Sequence, residues 1–149
     1  MKRCYIVDID GTVADASHRV HHIKKQPKDW DAFFAGCADD KPIRHMTDLV
    51  SHMWLTAYIV FVSGRPEWLR DVTTKWLYKH GVQPAKAEIA LYMRPEKDRR
   101  DDDIIKFELL HKLREDGWDP VMAFDDRDRI VKMWRANGIP CLQVAEGDF

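Results

Sequence analysis

The sequence predicts an α/β fold: a three-layer, Rossmann-like parallel sheet of about five strands, with helices on both faces and no sizeable cap domain. Three observations predict it. Short apolar runs alternate with amphipathic stretches along the whole chain. The runs read as strands buried on both faces, as parallel strands between helices are. Several of the runs end in polar or acidic residues, and open α/β sheets bind ligands beyond the carboxyl ends of their strands.

Five strands are expected, at Arg3–Val7, Ala57–Val62, Ile89–Tyr92, Val121–Phe124 and Cys141–Val144. Five helices are expected, at Trp30–Phe34, Ile43–Met53, Glu67–His80, Asp103–Leu113 and Arg127–Ala136. Their apolar residues recur at helical spacing: Ile43, Met46, Leu49, Val50 and Met53; Leu69, Val72 and Trp76; Ile105, Leu109 and Leu113; Ile130 and Trp134. Gly81, Gly117 and Gly138 stand where the last three helices should stop. The segment from Asp15 to Pro42 lacks strong periodicity and is too short to form a separate lid. Arg94–Asp103 reads as a polar loop running into a helix start, with Asp102 or Asp103 as the cap.

The 149 residues are read as one domain, large enough for a real core. A hydrophobic content of 45% argues against disorder, and no apolar run nears the roughly 20 residues of a membrane helix. The N-terminal apolar run stops at Asp8, so no secretory signal is read, and a cytoplasmic location is the default expectation. Cys4, Cys37 and Cys141 are too scattered for a zinc or redox motif and read as reduced core thiols. With a net charge of -1 there is no global field to attract nucleic acid, so a polyanion would bind through a local patch.

The first strand runs into Asp8-Ile9-Asp10-Gly11-Thr12. Two carboxylates two residues apart can hold a hard divalent cation, and one of them can attack phosphorus. A calcium loop also begins Asp-x-Asp, but it requires Gly at its sixth position and Glu at its twelfth, where this chain has Val13 and Arg19. The second strand ends in Ser63-Gly64-Arg65-Pro66, a hydroxyl and a guanidinium suited to phosphate oxygens, with Pro66 placed to open the next helix. An ordinary turn would look the same. The fourth strand ends in Asp125-Asp126, adjacent carboxylates that repel each other unless a cation or hydrogen bonds offset them. Lys106 lies early in a helix, where it opposes the dipole, and a surface ion pair with Asp102 or Asp103 is the alternative to a role in the site. All four features would meet at one edge of a parallel sheet.

In that order, Asp8-Ile9-Asp10-Gly11-Thr12, Ser63, Lys106 and Asp125-Asp126 resemble the four motifs of the haloacid dehalogenase superfamily of phosphotransferases. Val62-Ser63-Gly64-Arg65, Leu91-Tyr92-Met93-Arg94, Phe124-Asp125-Asp126-Arg127, Val131–Arg135 and Gln143–Phe149 resemble the phosphatase domain of phage polynucleotide kinase/3′-phosphatases. The resemblance spans nearly the whole chain. No Gly-x-x-x-x-Gly-Lys-Ser/Thr loop occurs, so kinase activity is not carried over, and the chain is read as a free-standing phosphatase or a separated domain.

The resemblance implies a Mg²⁺-dependent polynucleotide 3′-phosphatase, acting on DNA or RNA 3′ ends and on 2′,3′-cyclic phosphates as a further activity. Asp8 would be the nucleophile, and Asp10 the acid and then the base. Mg²⁺ would be held by Asp8, the backbone carbonyl of Asp10, and one of Asp125 and Asp126, with Asp126 favoured and Asp125 orienting Lys106 or a metal-bound water. Ser63 and Lys106 would hold the transferred phosphate. Thr12 would position Asp10 or its loop, Arg65 and Arg19 would lie on the substrate side, and Asp102 would brace Lys106. His18, His21 and His22 are assigned to the substrate rim rather than to a metal. Lys24, Lys25, Lys28, Arg94, Lys97, Arg99 and Arg100 could contact phosphates. A separate kinase or ligase is the expected partner, in the host cytoplasm if the chain is phage-encoded. The competing readings are a mononucleotide phosphatase, a nucleic-acid-end binding module without turnover, and a structural metal domain.

Overall fold

The structure is a computed structural model that describes residues 1–149. Its elements follow in the order β1 (Lys2–Val7), β2 (Ala14–Asp15), α1 (His21–Lys24), α2 (Trp30–Ala35), β3 (Lys41–Pro42), α3 (Arg44–Met53), β4 (Tyr58–Pro66), α4 (Arg70–Lys79), β5 (Ala90–Arg94), α5 (Asp102–Glu115), β6 (Trp118–Asp125), α6 (Asp128–Ala136) and β7 (Cys141–Gln143). The five expected strands form one parallel sheet in the order β5-β4-β1-β6-β7.

Alternation along each strand divides the core. Val7, Ile59, Phe61, Leu91, Met93 and Phe124 pack on one face, against Met46 and Val50 of α3 and Trp76 and Leu77 of α4. Cys4, Ile6, Val60, Val62, Ala123 and Cys141 pack on the other, against α5 and α6 through Ile105, Leu109, Leu110, Leu113, Ile130 and Trp134. The three cysteines are buried and unpaired. Leu49, expected on the apolar face of α3, is exposed instead. No helix is long and apolar enough to cross a membrane.

Three local expectations are corrected. Pro66 does not open a helix: it stays extended at φ -70° and ψ 153°, paired with Arg94 of β5 across an irregularity in β4. A 3₁₀ turn over Glu67–Leu69 follows before α4 begins. Neither Asp102 nor Asp103 caps α5. Asp101 holds the cap position without a capping bond, because α5 begins a residue earlier than expected. The segment from Asp15 to Pro42 is organised rather than irregular. Its ends pair as the antiparallel β2–β3 ladder, Ala14 opposite Pro42 and Asp15 opposite Lys41, with α1 and α2 between them. Asp29 caps α2 by accepting the Ala32 N–H at 2.9 Å.

Leu110 of α5 is fully buried in the core cluster on the α5–α6 face of the sheet. Leu110→Ala should lower stability by about 2–5 kcal/mol. Urea unfolding should show a lower midpoint with the slope preserved, whereas an unmoved midpoint would contradict this packing.

Candidate active site

The sheet register builds the centre of the site. Val7 lies opposite Phe124, and the Asp8 N–H donates to the Phe124 carbonyl at 3.0 Å. The next residues, Asp8 and Asp125, therefore leave β1 and β6 side by side. Both follow the alternation of Cys4, Ile6 and Ala123, which puts them on the α5–α6 face. Lys106, buried in α5, reaches both: Nζ donates to Asp8 Oδ1 and to Asp125 Oδ2 at 2.8 Å each. Asp125 also accepts from Trp134 Nε1 at 3.2 Å and from the N–H groups of Asp126 and Arg127 at 3.0 and 3.4 Å. Thr12 Oγ1 donates to Asp8 Oδ2 at 3.1 Å, so Thr12 fixes Asp8 rather than Asp10.

Asp126 differs from Asp125. It is buried, yet no lysine or arginine side chain pairs with its carboxylate, whose neighbours are the Asp8 and Asp125 carboxylates. Gly11, at φ +81°, leaves room for it, since a Cβ there would overlap that carboxylate. Carboxylate oxygens of Asp8, Asp125 and Asp126 lie within 4.8 Å of one another. Three buried carboxylates thus face one ammonium. Burial, then the Asp125 charge, push the Asp8 carboxyl well above its usual range. The same two causes push Asp126 up to about 6. Burial disfavours the Lys106 charge, but the Asp125 and Asp8 carboxylates outweigh it and hold the ammonium above its usual range. An all-oxygen donor set that includes a carboxylate without a cationic partner, with an excess of negative charge, fits a hard divalent cation.

Asp10 belongs to a second cluster. Beyond the end of β1 the chain turns, and its carboxylate meets Arg65 of β4 and Arg19 of the 15–42 segment. Arg65 donates to Asp10 from Nη2 at 2.6 Å and from Nε at 3.1 and 3.2 Å. Arg19 Nη2 donates at 2.7 Å. Burial works to raise the Asp10 carboxyl, but Arg65 and Arg19 together hold it below the usual range. The Asp10 side chain is still 25% exposed, so a substrate can reach it.

Both arginines are themselves fully buried, which corrects their expected place on the substrate side. The reason is Asp40, which the sequence did not single out. Its carboxylate accepts from Arg19 at 2.8 and 2.7 Å, from Arg65 at 2.9 Å, and lies 2.7 Å from His18 Nε2. Arg65 Nη1 donates to Thr73 Oγ1, Arg19 Nη1 to the Phe33 carbonyl, and Trp76 Nε1 to the Asp40 carbonyl. The one available signal for Asp40 was an acidic residue just before a Pro-containing hairpin end.

Ser63 is buried, and its Oγ accepts the Arg65 N–H at 3.1 Å, leaving its own O–H as a donor. Asp102, expected to brace Lys106, adds its charge to those that hold the ammonium but makes no hydrogen bond to it. Arg94 Nη2 and Arg127 Nη1 donate to Asp102, which packs over Gly64. Arg94 and Arg100 are also taken from the expected basic rim: Arg94 binds the carbonyls of Gly64, Asp98 and Arg100, and Arg100 pairs with Asp98 and Glu108. The His21 and His22 rings lie 4.0 Å apart, tilted by 38°, and no histidine joins the carboxylate cluster.

The model of the polynucleotide kinase PNKP phosphatase domain family matches residues 2–149. The chain belongs to that family. It is a phosphatase domain of the haloacid dehalogenase superfamily, and its buried aspartate triad is of the type found at that superfamily's metal site. Among relatives of this phosphatase domain, a protein of Autographa californica nuclear polyhedrosis virus, provisionally assigned as a bifunctional polynucleotide kinase/RNA ligase, is 29% identical over 141 residues. That alignment covers 93% of this chain and 18% of the viral protein. A chain in a structure of the Pnkp1/Rnl/Hen1 complex superposes with a TM-score of 0.82 at 26% identity, over 100% of this chain and 48% of that one. The class C acid phosphatase of Bacillus anthracis shares the fold, with a TM-score of 0.68 at 20% identity over 97% of this chain and 66% of its own. This phosphatase domain therefore spans under half the length of the first two relatives.

Two outcomes follow from the clusters. Without a cation, folded Asp126 keeps its proton up to about 6, whereas the unfolded chain loses it near about 4. Across that window the folded state binds more protons, so stability should fall as pH rises. The raised Asp8 acts in the same direction, and the depressed Asp10 acts only below the window. The melting temperature in chelator should thus drop between about pH 4 and pH 6, and a divalent cation should raise it more at about pH 7 than at about pH 5. A cation effect independent of pH would contradict the shared site. Asp40→Asn leaves two buried guanidiniums with one carboxylate and should lower stability by about 3 kcal/mol. Denaturant unfolding measures it, and an unmoved midpoint would show that Asp40 does not hold the arginines.

Proposed function

We propose that this chain is a Mg²⁺-dependent polynucleotide 3′-phosphatase that works through a phosphorylated Asp8. The observation that carries the reading is Asp8 itself: a buried carboxylate at a strand end, held by Lys106 and Thr12 beside a carboxylate cluster that lacks balancing charge. An Asp8 oxygen forms the bond to phosphorus while the bond from phosphorus to the sugar 3′ oxygen breaks. Asp10 gives that oxygen a proton. Asp10 then takes a proton from water, whose oxygen attacks phosphorus and releases Asp8 and inorganic phosphate. One difficult displacement becomes two easier ones.

Lys106 and Ser63 neutralise and orient the phosphate oxygens, and Lys106 also lowers repulsion between Asp8 and the incoming dianion. Arg65 and Arg19 fix the direction of Asp10 and favour its carboxylate, the state that accepts a proton from water. Formation of the aspartyl-phosphate is then the half that waits on a proton. Asp8, Asp126 and the Asp10 carbonyl would hold Mg²⁺, which when bound supplies charge for the phosphate oxygens. Asp125, whose oxygens are already taken by Lys106, Trp134 and two N–H groups, braces the cluster.

Three points support a polymer end as the substrate. The family is named for a polynucleotide kinase, the viral relative is assigned to kinase and ligase activities, and the Pnkp1/Rnl/Hen1 assembly is described as an RNA repair complex. No large cap encloses the cleft, so a chain terminus can enter it. A kinase or ligase, as a separate or linked protein, would use the 3′-hydroxyl product.

Phosphate release should be compared for 3′-phosphorylated DNA, 3′-phosphorylated RNA, a 5′-phosphorylated oligonucleotide and a 3′-mononucleotide, with Mg²⁺ and with chelator. The 3′-phosphorylated polymers should be preferred, and chelator should abolish release. Asp8→Asn should reduce release by on the order of 10⁴ or more. Preference for the mononucleotide would replace this reading with a mononucleotide phosphatase. Tight binding of 3′-phosphorylated ends without release would replace it with a binding module.

A further inference from the structure

The 15–42 segment and the β5–α5 loop leave a groove of about 360 Å³, which lies within the roughly 300–1,000 Å³ range of ligand clefts. Lys25, Lys28, Asp29, Trp30 and Asp31 line one side, and Arg99 the other. Both walls rise from the carboxyl edge of the sheet. The 15–42 segment follows β1 and is tied to Asp10 through Arg19, while Arg99 precedes Lys106 by seven residues on the way into α5.

The cations in this groove have no carboxylate partner within the protein. Lys25, Lys28 and Arg99 are exposed and make no ion pair or side-chain hydrogen bond, unlike neighbouring Arg94 and Arg100. Of the two carboxylates, Asp29 accepts the Ala32 N–H as the cap of α2. Three cations against two carboxylates make the groove locally positive on a chain of net charge -1. Between the cations stands Trp30, 41% exposed although it is large and aromatic. It is held edge-to-face against Phe33 at 5.8 Å and stacked on Phe34 at 5.9 Å, and the Lys28 ammonium lies 5.9 Å from its ring centre. A fixed aromatic between cations is the arrangement that binds single-stranded nucleic acid without reading sequence: bases stack on the ring and phosphates meet the cations.

We propose that this groove binds the single-stranded nucleotides adjoining the 3′ terminus, with Trp30 as the stacking platform and Lys25, Lys28 and Arg99 as backbone contacts. The assignment rests on the 3′-phosphatase reading above and adds where the polymer is held and why it is preferred over a mononucleotide.

The test is the ratio of kcat/KM for a ten-nucleotide 3′-phosphorylated single strand to kcat/KM for an aryl phosphate too short to span the groove, measured in Mg²⁺. Trp30→Ala should lower that ratio by about tenfold, mainly through KM, and Trp30→Phe should restore most of it. Because Trp30 packs on two phenylalanines, the exposed Lys28→Ala and Arg99→Ala are the second arm. Each should lower the ratio and make oligonucleotide KM less steep with salt. If Trp30→Ala, Lys28→Ala and Arg99→Ala all keep the wild-type ratio and salt slope, the groove assignment is overturned while the 3′-phosphatase reading stands. If the wild-type protein cleaves the aryl phosphate but not the oligonucleotide, both are overturned.

Discussion

Burying carboxylates is costly unless opposite charge or hydrogen bonds accompany them, and the site is organised around that constraint. On the α5–α6 face, Asp8, Asp125 and Asp126 share one ammonium, Lys106. On the other side, Asp10 and Asp40 face two guanidiniums, Arg19 and Arg65. The second cluster is balanced within the protein and the first is not. The charge deficit that Lys106 leaves in the first cluster is one that a divalent cation can offset. The balance of the second favours the Asp10 carboxylate and fixes its direction. Two aspartates two residues apart in sequence thereby acquire opposite electrostatics: Asp8 with its carboxyl raised by burial and Asp125, Asp10 with its own depressed by two arginines.

The sheet produces this division. Asp8 and Asp125 continue the alternation of their strands and so face α5, which carries Lys106 in its second turn. Asp10 lies past the strand, beyond the reach of that alternation, and meets Arg65 of the neighbouring β4 instead. The 15–42 segment then completes the second cluster from outside the sheet. Its β2–β3 pairing ties the two ends of the segment together, and Arg19 and Asp40 meet near them.

The centre of the site was legible because its residues stand at strand ends and in a strongly periodic helix. Asp8, Lys106, Asp125 and Asp126 could be placed at one edge from hydrophobic pattern alone, and the adjacent pair Asp125-Asp126 announced a need for compensation. The directions of Arg19 and Arg65 were not legible. Arg65 continues β4 past Ser63, and Arg19 sits in a segment without periodicity, so nothing local showed that Asp40 would bury them. Asp102 was legible only in part: its charge does act on Lys106, but Arg94 and Arg127 come from elsewhere in the chain and take its oxygens. Trp30 was read only as the start of a helix, and its exposure depends on how that short helix lies.

The central claim is that Asp8 becomes covalently phosphorylated. Rapid acid quenching of the enzyme during turnover of a 3′-phosphorylated oligonucleotide, followed by borohydride reduction and peptide mass spectrometry, tests it directly. Asp8 alone should be converted to homoserine, and only when substrate is present. Turnover with no modified residue, or with the modification at Asp10 or Asp126, would contradict it.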